Sequence, residues 1–378
     1  MREGIWKPLV GMWLPLGVFA AAAMALWLNG GVRPAGDTPL YLNGALRLRQ
    51  GLPLEGAQHA YAGYIAFVAL HQWLGLKAAA IITTQVALGA MVLVTSYDAG
   101  ARLAGWIGGG LAAWLYAVNL DLARFHYYVL SDSLFTSLLW LSAYAAIRAS
   151  SGCHRVWTVL AAILAVVLVT VRLNGWLALP CLAAFLLLPG KRRGRSVRWA
   201  TWGIVVMATC VGLRWTLSMN GSLGGTGTLL AQGRVVAADS SSVIPMPPAA
   251  GSDTGLLGSG QYCAAHPGAC LRLMSRRMAV ELAHTRPYYS PAHNLVIRTT
   301  LPLLYGLALV GIVAYWRHSF TWLALVLVGL QLMVVGMSGA DWDGRFLLMV
   351  MPLLTFLSGV GGMALMRRWL PPSYSASC

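Results

Sequence analysis

Long apolar stretches separated by short polar connections dominate this chain of 378 residues. An apolar stretch of about 20 residues forms a helix long enough to cross the roughly 30 Å hydrocarbon core of a bilayer. The pattern therefore predicts an all-α polytopic membrane protein with about ten transmembrane helices. The predicted spans are residues 8–29, 78–97, 104–120, 132–148, 156–172, 175–189, 199–218, 296–316, 319–337 and 346–366.

The composition excludes a soluble domain, since 58% of the residues are hydrophobic and 16 are tryptophan. The formal net charge of +16 would suggest a nucleic-acid partner in a soluble protein. Here much of that charge reflects membrane topology, so we expect no nucleic acid as a partner. The first apolar run, from Pro8 to Leu28, is too long for an ordinary signal peptide and is expected to stay as a helix.

Charge is distributed unevenly between the two sets of connecting loops. The N-terminus and the short loops of one set carry thirteen of the 27 basic residues, with only Glu3 and Asp98 as acids. The other set holds nine of the eleven acidic residues. Because basic loops stay in the cytoplasm, both termini are predicted to be cytoplasmic and the acidic loops to face outward. Composition favours a bacterial inner membrane, with the acidic loops in the periplasm.

Two of the predicted outer loops are large. The first, at about residues 30–77, is predicted to contain two interfacial helices, over Pro39–Arg49 and Tyr61–Leu74, with Thr38 as the cap of the first. The second is residues 219–295, which separates an N-terminal membrane module (1–218) from the C-terminal helices and tail (296–378). In this loop Cys263 and Cys270 are close enough to form a disulfide in an oxidising compartment, or both stay free.

Two carboxylates are placed where an outer loop meets the start of a helix. Asp37 lies in RPAGDTPLY and Asp132 lies in VLSDSLF. Each is either a residue of the first helical turn, favoured by capping and the helix dipole, or a general base at the membrane surface. Their shared face, next to a loop with further polar residues, favours the functional interpretation for Asp132 and leaves Asp37 open.

Two arginines are expected at the same face. Arg172 and Asn174, in TVRLNGW, either form a polar turn between two helices or bind substrate. Arg345, in DGRFLLMVMPLL, is either a solvated turn residue or a ligand for a lipid-linked phosphate. The planar guanidinium group matches the geometry of phosphate oxygens, which is the reason for the second interpretation.

Aromatic and polar side chains of the outer loops are candidate substrate contacts, although loop and interfacial residues of these types are often unrelated to binding. The histidines lack metal-ligand spacing, so no metal site is predicted. The candidates are Tyr41, Arg124, His126, Tyr128, Asn174, Tyr288, Tyr289 and His293.

Four segments occur in one order along the chain: GDTPLYLNGALRLRQGLPL, YYVLSDSLFTSLLWLSAY, VRLNGWLALP and DGRFLLMVMPLL. With these segments the chain resembles the C-superfamily (GT-C fold) of integral-membrane glycosyltransferases, which includes protein O-mannosyltransferases and lipid A aminoarabinose transferases. The stretch AHPGACLRLMSRRMAVELAHTRPYYSPAHN is similar to the outer loop of bacterial members.

The resemblance implies inverting transfer of a sugar from a polyprenyl-phosphate donor to a glycan, lipid or protein acceptor at the outer face. It implies that Asp37 is the base, that Asp132 orients the acceptor or binds a metal, and that Arg345 holds the donor phosphate, with Arg172 as a second candidate. Many members have a second acid directly after the first. Thr38 stands there in this chain, so a divalent metal stays possible but is not favoured.

A transporter or lipid flippase without transfer chemistry is the main alternative. Such a protein is expected to place ionisable groups at mid-membrane and to contain broken helices within its spans. In this sequence the ionisable residues lie almost wholly at the predicted helix ends. Their position favours chemistry at the membrane surface.

Overall fold

The computed structural model describes residues 9–150, 155–187, 225–248, 256–341 and 344–367. Within these ranges the chain is all-helical and contains no β-strand, with only isolated bridges between loop residues. The all-α prediction is confirmed for this part of the protein. The predicted span at 199–218 lies outside the described residues.

The helices follow the apolar stretches of the sequence, and shorter helices occupy the loops between them. Leu9–Trp13 forms a π-helical turn and Gly56–Tyr61 forms a 3₁₀ helix. The α-helices are α1 (Leu14–Leu28), α2 (Thr38–Arg49), α3 (Ala62–Trp73), α4 (Ala78–Ala117), α5 (Leu120–Phe125), α6 (Ser131–Ser150), α7 (Arg155–Val171), α8 (Gly175–Leu187), α9 (Gly225–Ala231), α10 (Leu256–Ala265), α11 (Pro267–Ala283), α12 (Pro291–Ala314), α13 (Ser319–Ser338), α14 (Arg345–Leu348) and α15 (Met351–Met366).

Four helical segments are long and apolar enough to cross a membrane: Leu9–Leu28, Ala78–Ala117, Pro291–Ala314 and Ser319–Ser338. The apolar helices α7, α8 and α15 are shorter. These segments indicate a protein embedded in a membrane. The prediction of ten spans is not confirmed by helix length and apolarity.

Helix α4 contains two of the predicted spans, 78–97 and 104–120. Its backbone leaves helical geometry at Gly105, where φ is 81° and ψ is 171°. Beyond this point the chain turns back on itself, so that a Cβ added to Gly100 would stand 2.7 Å from the Cα of Gly109. The two predicted spans are therefore the arms of a tight hairpin.

Helix α6 lies at the centre of the bundle. It packs against α4, α7 and α8, and nearly all of its side chains are buried. A helix surrounded by other helices on every side does not need an apolar outer face. For that reason α6 can include Ser133, Ser137 and Ser142, all buried, and is less apolar than the four long segments. Asp132, in its first turn, therefore lies at the middle of one end of the bundle.

Residues 30–77, which are predicted as the first outer loop, contain two helices close to the predicted bounds. α2 begins at Thr38, one residue before the predicted start, so Asp37 and not Thr38 occupies the N-cap position, and the helix packs against α3. Both helices expose large apolar side chains, among them Leu46 at 47% and Trp73 at 78% of their full accessible areas. Exposed apolar area of this kind is what a helix lying in the membrane interface needs, and this location stays a prediction.

The large segment that is predicted as the second outer loop, called the large outer segment below, is tied to the helix bundle through α11. Cys263 in α10 and Cys270 in α11 form a disulfide, with their Cα atoms 5.5 Å apart. Arg277 of α11 is fully buried and donates to the carbonyl oxygens of Gly336 and Met337, at 2.9 and 2.8 Å. These carbonyls belong to the last turn of α13. No following helical turn provides N–H groups to bond them. Arg277 thus fixes α11 to the end of α13.

Close packing of α12 against α15 provides a test of the fold. A Cβ added to Gly311 would overlap the Leu357 carbonyl oxygen of α15, whereas one added to Gly306, on the same helix, meets nothing within 4 Å. We expect Gly311→Ala to cost about 1–3 kcal/mol through overpacking, and Gly306→Ala to be neutral or slightly stabilising. Apparent melting temperatures in lipid nanodiscs measure both. Equal effects of the two substitutions would contradict this helix contact.

Candidate active site

Asp37 and Arg345 form an ion pair although they lie 308 positions apart in the sequence. The Nη1 of Arg345 lies 2.7 Å from Oδ2 of Asp37, and its Nε lies 3.0 Å from Oδ2 of Asp341. Asp37 precedes α2, whereas Arg345 opens α14. The pair is partly exposed, with 38% and 24% of the two side chains accessible, so a ligand can reach both groups.

Asp132 and Arg172 form a second, buried ion pair. Oδ1 of Asp132 lies 2.6 Å from Nη1 of Arg172, and this nitrogen also donates to Oγ of Ser131 at 3.2 Å. Ser131 in turn shares a hydrogen bond of 3.1 Å with the Tyr41 hydroxyl of α2. The other carboxylate oxygen of Asp132 is buried and has no hydrogen-bond partner. That oxygen is a free acceptor at the end of the central helix.

The two pairs meet at Phe346. Its ring lies 5.4 Å from the guanidinium carbon of Arg345 and 5.8 Å from that of Arg172. Burial acts to lower the pKa of Arg345, but the carboxylates of Asp132, Asp341 and Asp37 outweigh it and raise that pKa. Arg345 therefore stays charged at any physiological pH. The cluster of Asp37, Asp132, Arg172 and Arg345 combines fixed positive charge with carboxylates that can accept a proton.

Neither carboxylate makes a capping hydrogen bond with its side chain. Asp37 precedes α2 but makes no capping hydrogen bond with its side chain. Thr38 instead accepts from the Ala35 N–H at 2.9 Å and donates to the Val129 carbonyl at 3.3 Å. The alternative interpretation of Asp37 and Asp132 as capping residues therefore does not account for their contacts, which are made to arginines distant in sequence.

No family model matches the chain, and no curated protein matches it. Function therefore has to be inferred from the geometry of the site.

A second group of side chains lies where α5 meets the segment after α11. Asp121 lies between His293, with Nε2 3.2 Å from Oδ1, and His284, with Nε2 3.5 Å from Oδ2. Burial acts to raise the pKa of Asp121, but both histidines oppose it and the pKa is lowered. The ring of Tyr289 stacks on His293 at 4.4 Å, and Tyr288 is exposed. The predicted Tyr288, Tyr289 and His293 thus belong to one aromatic group.

Three other predicted residues make contacts that hold loops together. Arg124 donates to the Tyr128 hydroxyl at 3.0 Å. Asn174 donates to the side-chain oxygen of Gln331 at 3.0 Å, which joins the start of α8 to α13. All three side chains are half-buried. Arg172, the second candidate for binding the donor phosphate, is 6% exposed and is already paired with Asp132.

Two predicted substrate contacts need correction. Tyr41 is fully buried and His126 is 1% exposed, so neither can touch a substrate in this conformation. The Tyr41 hydroxyl instead shares a hydrogen bond with Oγ of Ser131. His126 bonds Ser133 at 2.6 Å and packs edge-on against Phe19, and burial lowers its pKa to about 4. His126 is therefore a neutral residue of the core.

Glu281 and Arg286 are functional candidates that the sequence did not indicate. Both are buried at the end of α11 and contact the backbone that carries Arg345. A single acid among apolar residues in MAVELAH is the signal that could have identified Glu281. Among the described residues, no group of three or more histidine, cysteine or acidic side chains is arranged to hold a metal.

Proposed function

We propose that this protein is an inverting glycosyltransferase of the membrane, with a polyprenyl-phosphate sugar as donor. One observation carries the proposal: two carboxylates and two arginines from four distant segments converge on Phe346 at one end of the helix bundle. Transfer from a phosphate-linked donor requires a base for the acceptor and fixed positive charge for the leaving group. The resemblance to the C-superfamily of glycosyltransferases supports the same reaction.

In this reaction Asp37 takes the proton of an acceptor hydroxyl or amine as the nucleophile forms a bond to the anomeric carbon. The bond between that carbon and the phosphate oxygen breaks on the opposite side, so the configuration inverts. The donor is a phosphodiester with one negative charge, and the leaving polyprenyl phosphate carries one more. One negative charge therefore moves from the Asp37 carboxylate to the phosphate.

Arg345 can pair with the carboxylate that gives up this negative charge and with the phosphate that receives it. In the ligand-free protein it pairs with Asp37 and Asp341. A bound phosphate competes for the same guanidinium group, which can accept it in a bidentate arrangement. Phosphate binding then loosens the hold of Arg345 on Asp37 and leaves that carboxylate available as a base. Asp132 is buried in the ligand-free protein, so its role of orienting the acceptor requires the site to open when substrate binds, and Arg172 fixes Asp132 in place.

The helices and their charges support a location. Apolar helices indicate a protein embedded in a membrane, and the positive-inside rule favours a cytoplasmic location for the basic loops. The disulfide of the large outer segment supports this orientation, since disulfides persist in oxidising compartments. We propose ten spans, cytoplasmic termini and a site that faces the periplasm of a bacterial inner membrane. The acceptor is a glycan, a lipid or a protein.

Mass spectrometry of envelope glycans and glycolipids tests the function. Cells that lack the protein are compared with cells complemented by the wild-type protein or by Asp37→Asn. We expect one product to lack a single sugar in the deletion and in the Asp37→Asn strain, and to be restored by the wild type. A deletion that changes the product while Asp37→Asn restores it would instead indicate lipid movement or a different base.

A further inference from the structure

Glu281 holds both ends of the turn that carries Arg345. Its Oε2 accepts a hydrogen bond from the Asp341 N–H and its Oε1 accepts one from the Leu347 N–H, each at 3.0 Å. The side chain is fully buried. A single carboxylate thus bonds the backbone at residues 341 and 347, with Arg345 between the two points of attachment.

Neighbouring residues at the end of α11 contact the same turn. Arg286 donates from Nη2 to the Asp341 carbonyl oxygen at 2.5 Å, and from Nη1 to the Val280 carbonyl oxygen at 3.1 Å. The ring of His284 lies directly against Gly344, where an added Cβ would overlap it. The turn is therefore held at its start, its middle and its end by one short segment, residues 280–286.

This arrangement is costly for the folded protein. A carboxylate removed from water loses hydration, and its closest cation among the described residues, the Nη2 of Arg286, lies 3.8 Å away. Burial accordingly raises the pKa of Glu281, although the two backbone hydrogen bonds oppose this change. Two apolar side chains would fill the space at lower cost. What they cannot do is accept two N–H groups at a fixed separation.

We propose that Glu281 is a positioning residue for Arg345, through which the large outer segment sets the geometry of the phosphate site. The inference rests on the proposed function in one respect, namely that the ligand of Arg345 is the phosphate of a polyprenyl donor. Glu281 itself does not contact the donor. It fixes the backbone on both sides of the guanidinium group, and sites that recognise a phosphate bidentately depend on such fixed geometry.

Arg277 provides a matched control for a purely structural role. It lies one turn before Glu281 on α11, is equally buried and is also charged. Its hydrogen bonds go to the Gly336, Met337, Arg234 and Leu229 carbonyls, and none goes to the turn at 341–347. Arg277→Met therefore removes a buried charge from the same helix and leaves the Arg345 turn anchored.

The first measurement is hydrogen exchange of the turn, which needs no ligand. Glu281→Gln puts an amide NH₂ against one of two N–H donors, so we expect the peptide that spans residues 344–350 to exchange at least tenfold faster than in the wild type. Arg277→Met should leave this peptide unchanged. Glu281→Asp, which keeps the charge but is shorter, serves as the second variant if Glu281→Gln fails to fold. Unchanged exchange in a folded Glu281 variant would overturn the positioning role.

The second measurement is binding of a short-chain polyprenyl monophosphate in nanodiscs, with the unphosphorylated polyprenol as reference. We expect Glu281→Gln to lower the affinity for the phosphate about tenfold, as Arg345→Lys should, while Arg277→Met keeps it. Equal losses in the Glu281 and Arg277 variants would show a general effect of a damaged helix and overturn the proposal. If the wild type binds both lipids equally, the proposed donor is wrong, and the exchange experiment still decides whether Glu281 holds the turn.

Discussion

Asp37→Asn is expected to abolish sugar transfer while the protein stays folded. The amide cannot accept the acceptor proton, and loss of a general base lowers the rate by about 10²–10⁴-fold. Its carbonyl oxygen can still accept a hydrogen bond from Arg345, which now lies 2.7 Å from the carboxylate. Because the Asp37 side chain is partly exposed, the change should cost little stability.

The measurement is the turnover of purified protein in nanodiscs with a polyprenyl-phosphate sugar and an acceptor identified from the envelope glycans. Glu55→Gln is the matched control. Glu55 is also an acid of the first outer loop, but its side chain is 68% exposed and pairs with Arg47. We expect full activity from Glu55→Gln. Wild-type turnover by Asp37→Asn would exclude Asp37 as the base.

Removal of one partner of the Asp132–Arg172 pair is expected to be strongly destabilising. Both side chains are buried, at 3% and 8% exposure. A remaining single charge would lack compensation, which typically costs about 3–5 kcal/mol. Asp132→Leu and Arg172→Met should therefore each lower the apparent melting temperature by many degrees and abolish transfer.

The double variant separates stability from function. With both charges replaced by apolar groups, no unpaired charge stays buried, and stability should return close to that of the wild type. Transfer should not return, because the free oxygen of Asp132 is lost. Thermal denaturation and turnover are measured for the wild type, the two single variants and the double variant, which together form a double-mutant cycle. A double variant as unstable as the single ones would contradict the pairing, and an active one would exclude Asp132 from the reaction.

The residues of the site could be predicted from sequence to the extent that charge is unusual in an apolar chain. Asp37, Asp132, Arg172 and Arg345 stand out for that reason, and the structure brings all four together. Their partners could not be predicted. Arg345 reaches Asp37 across 308 positions of the sequence, and no local pattern reports a contact of that range.

Tyr41 and His126 show the limit of residue type as a guide. Residue type made both of them candidate substrate contacts, yet both of these residues are buried. Glu281 shows the opposite failure. A single acid among apolar residues could have marked it as unusual, but the sequence does not show that its hydrogen bonds go to the turn at residues 341–347.

The sequence by itself determined the helical architecture and predicted which loops face the cytoplasm, because both depend on local properties. An apolar stretch needs a helix and an apolar surrounding, and basic loops accumulate on one side of a membrane. Only the tertiary structure decided which charges meet, which of them stay open to a ligand, and what holds them in place. Those features depend on how helices distant in sequence pack at one end of the bundle, where Phe346 lies between two arginines and Glu281 fixes the turn beside it.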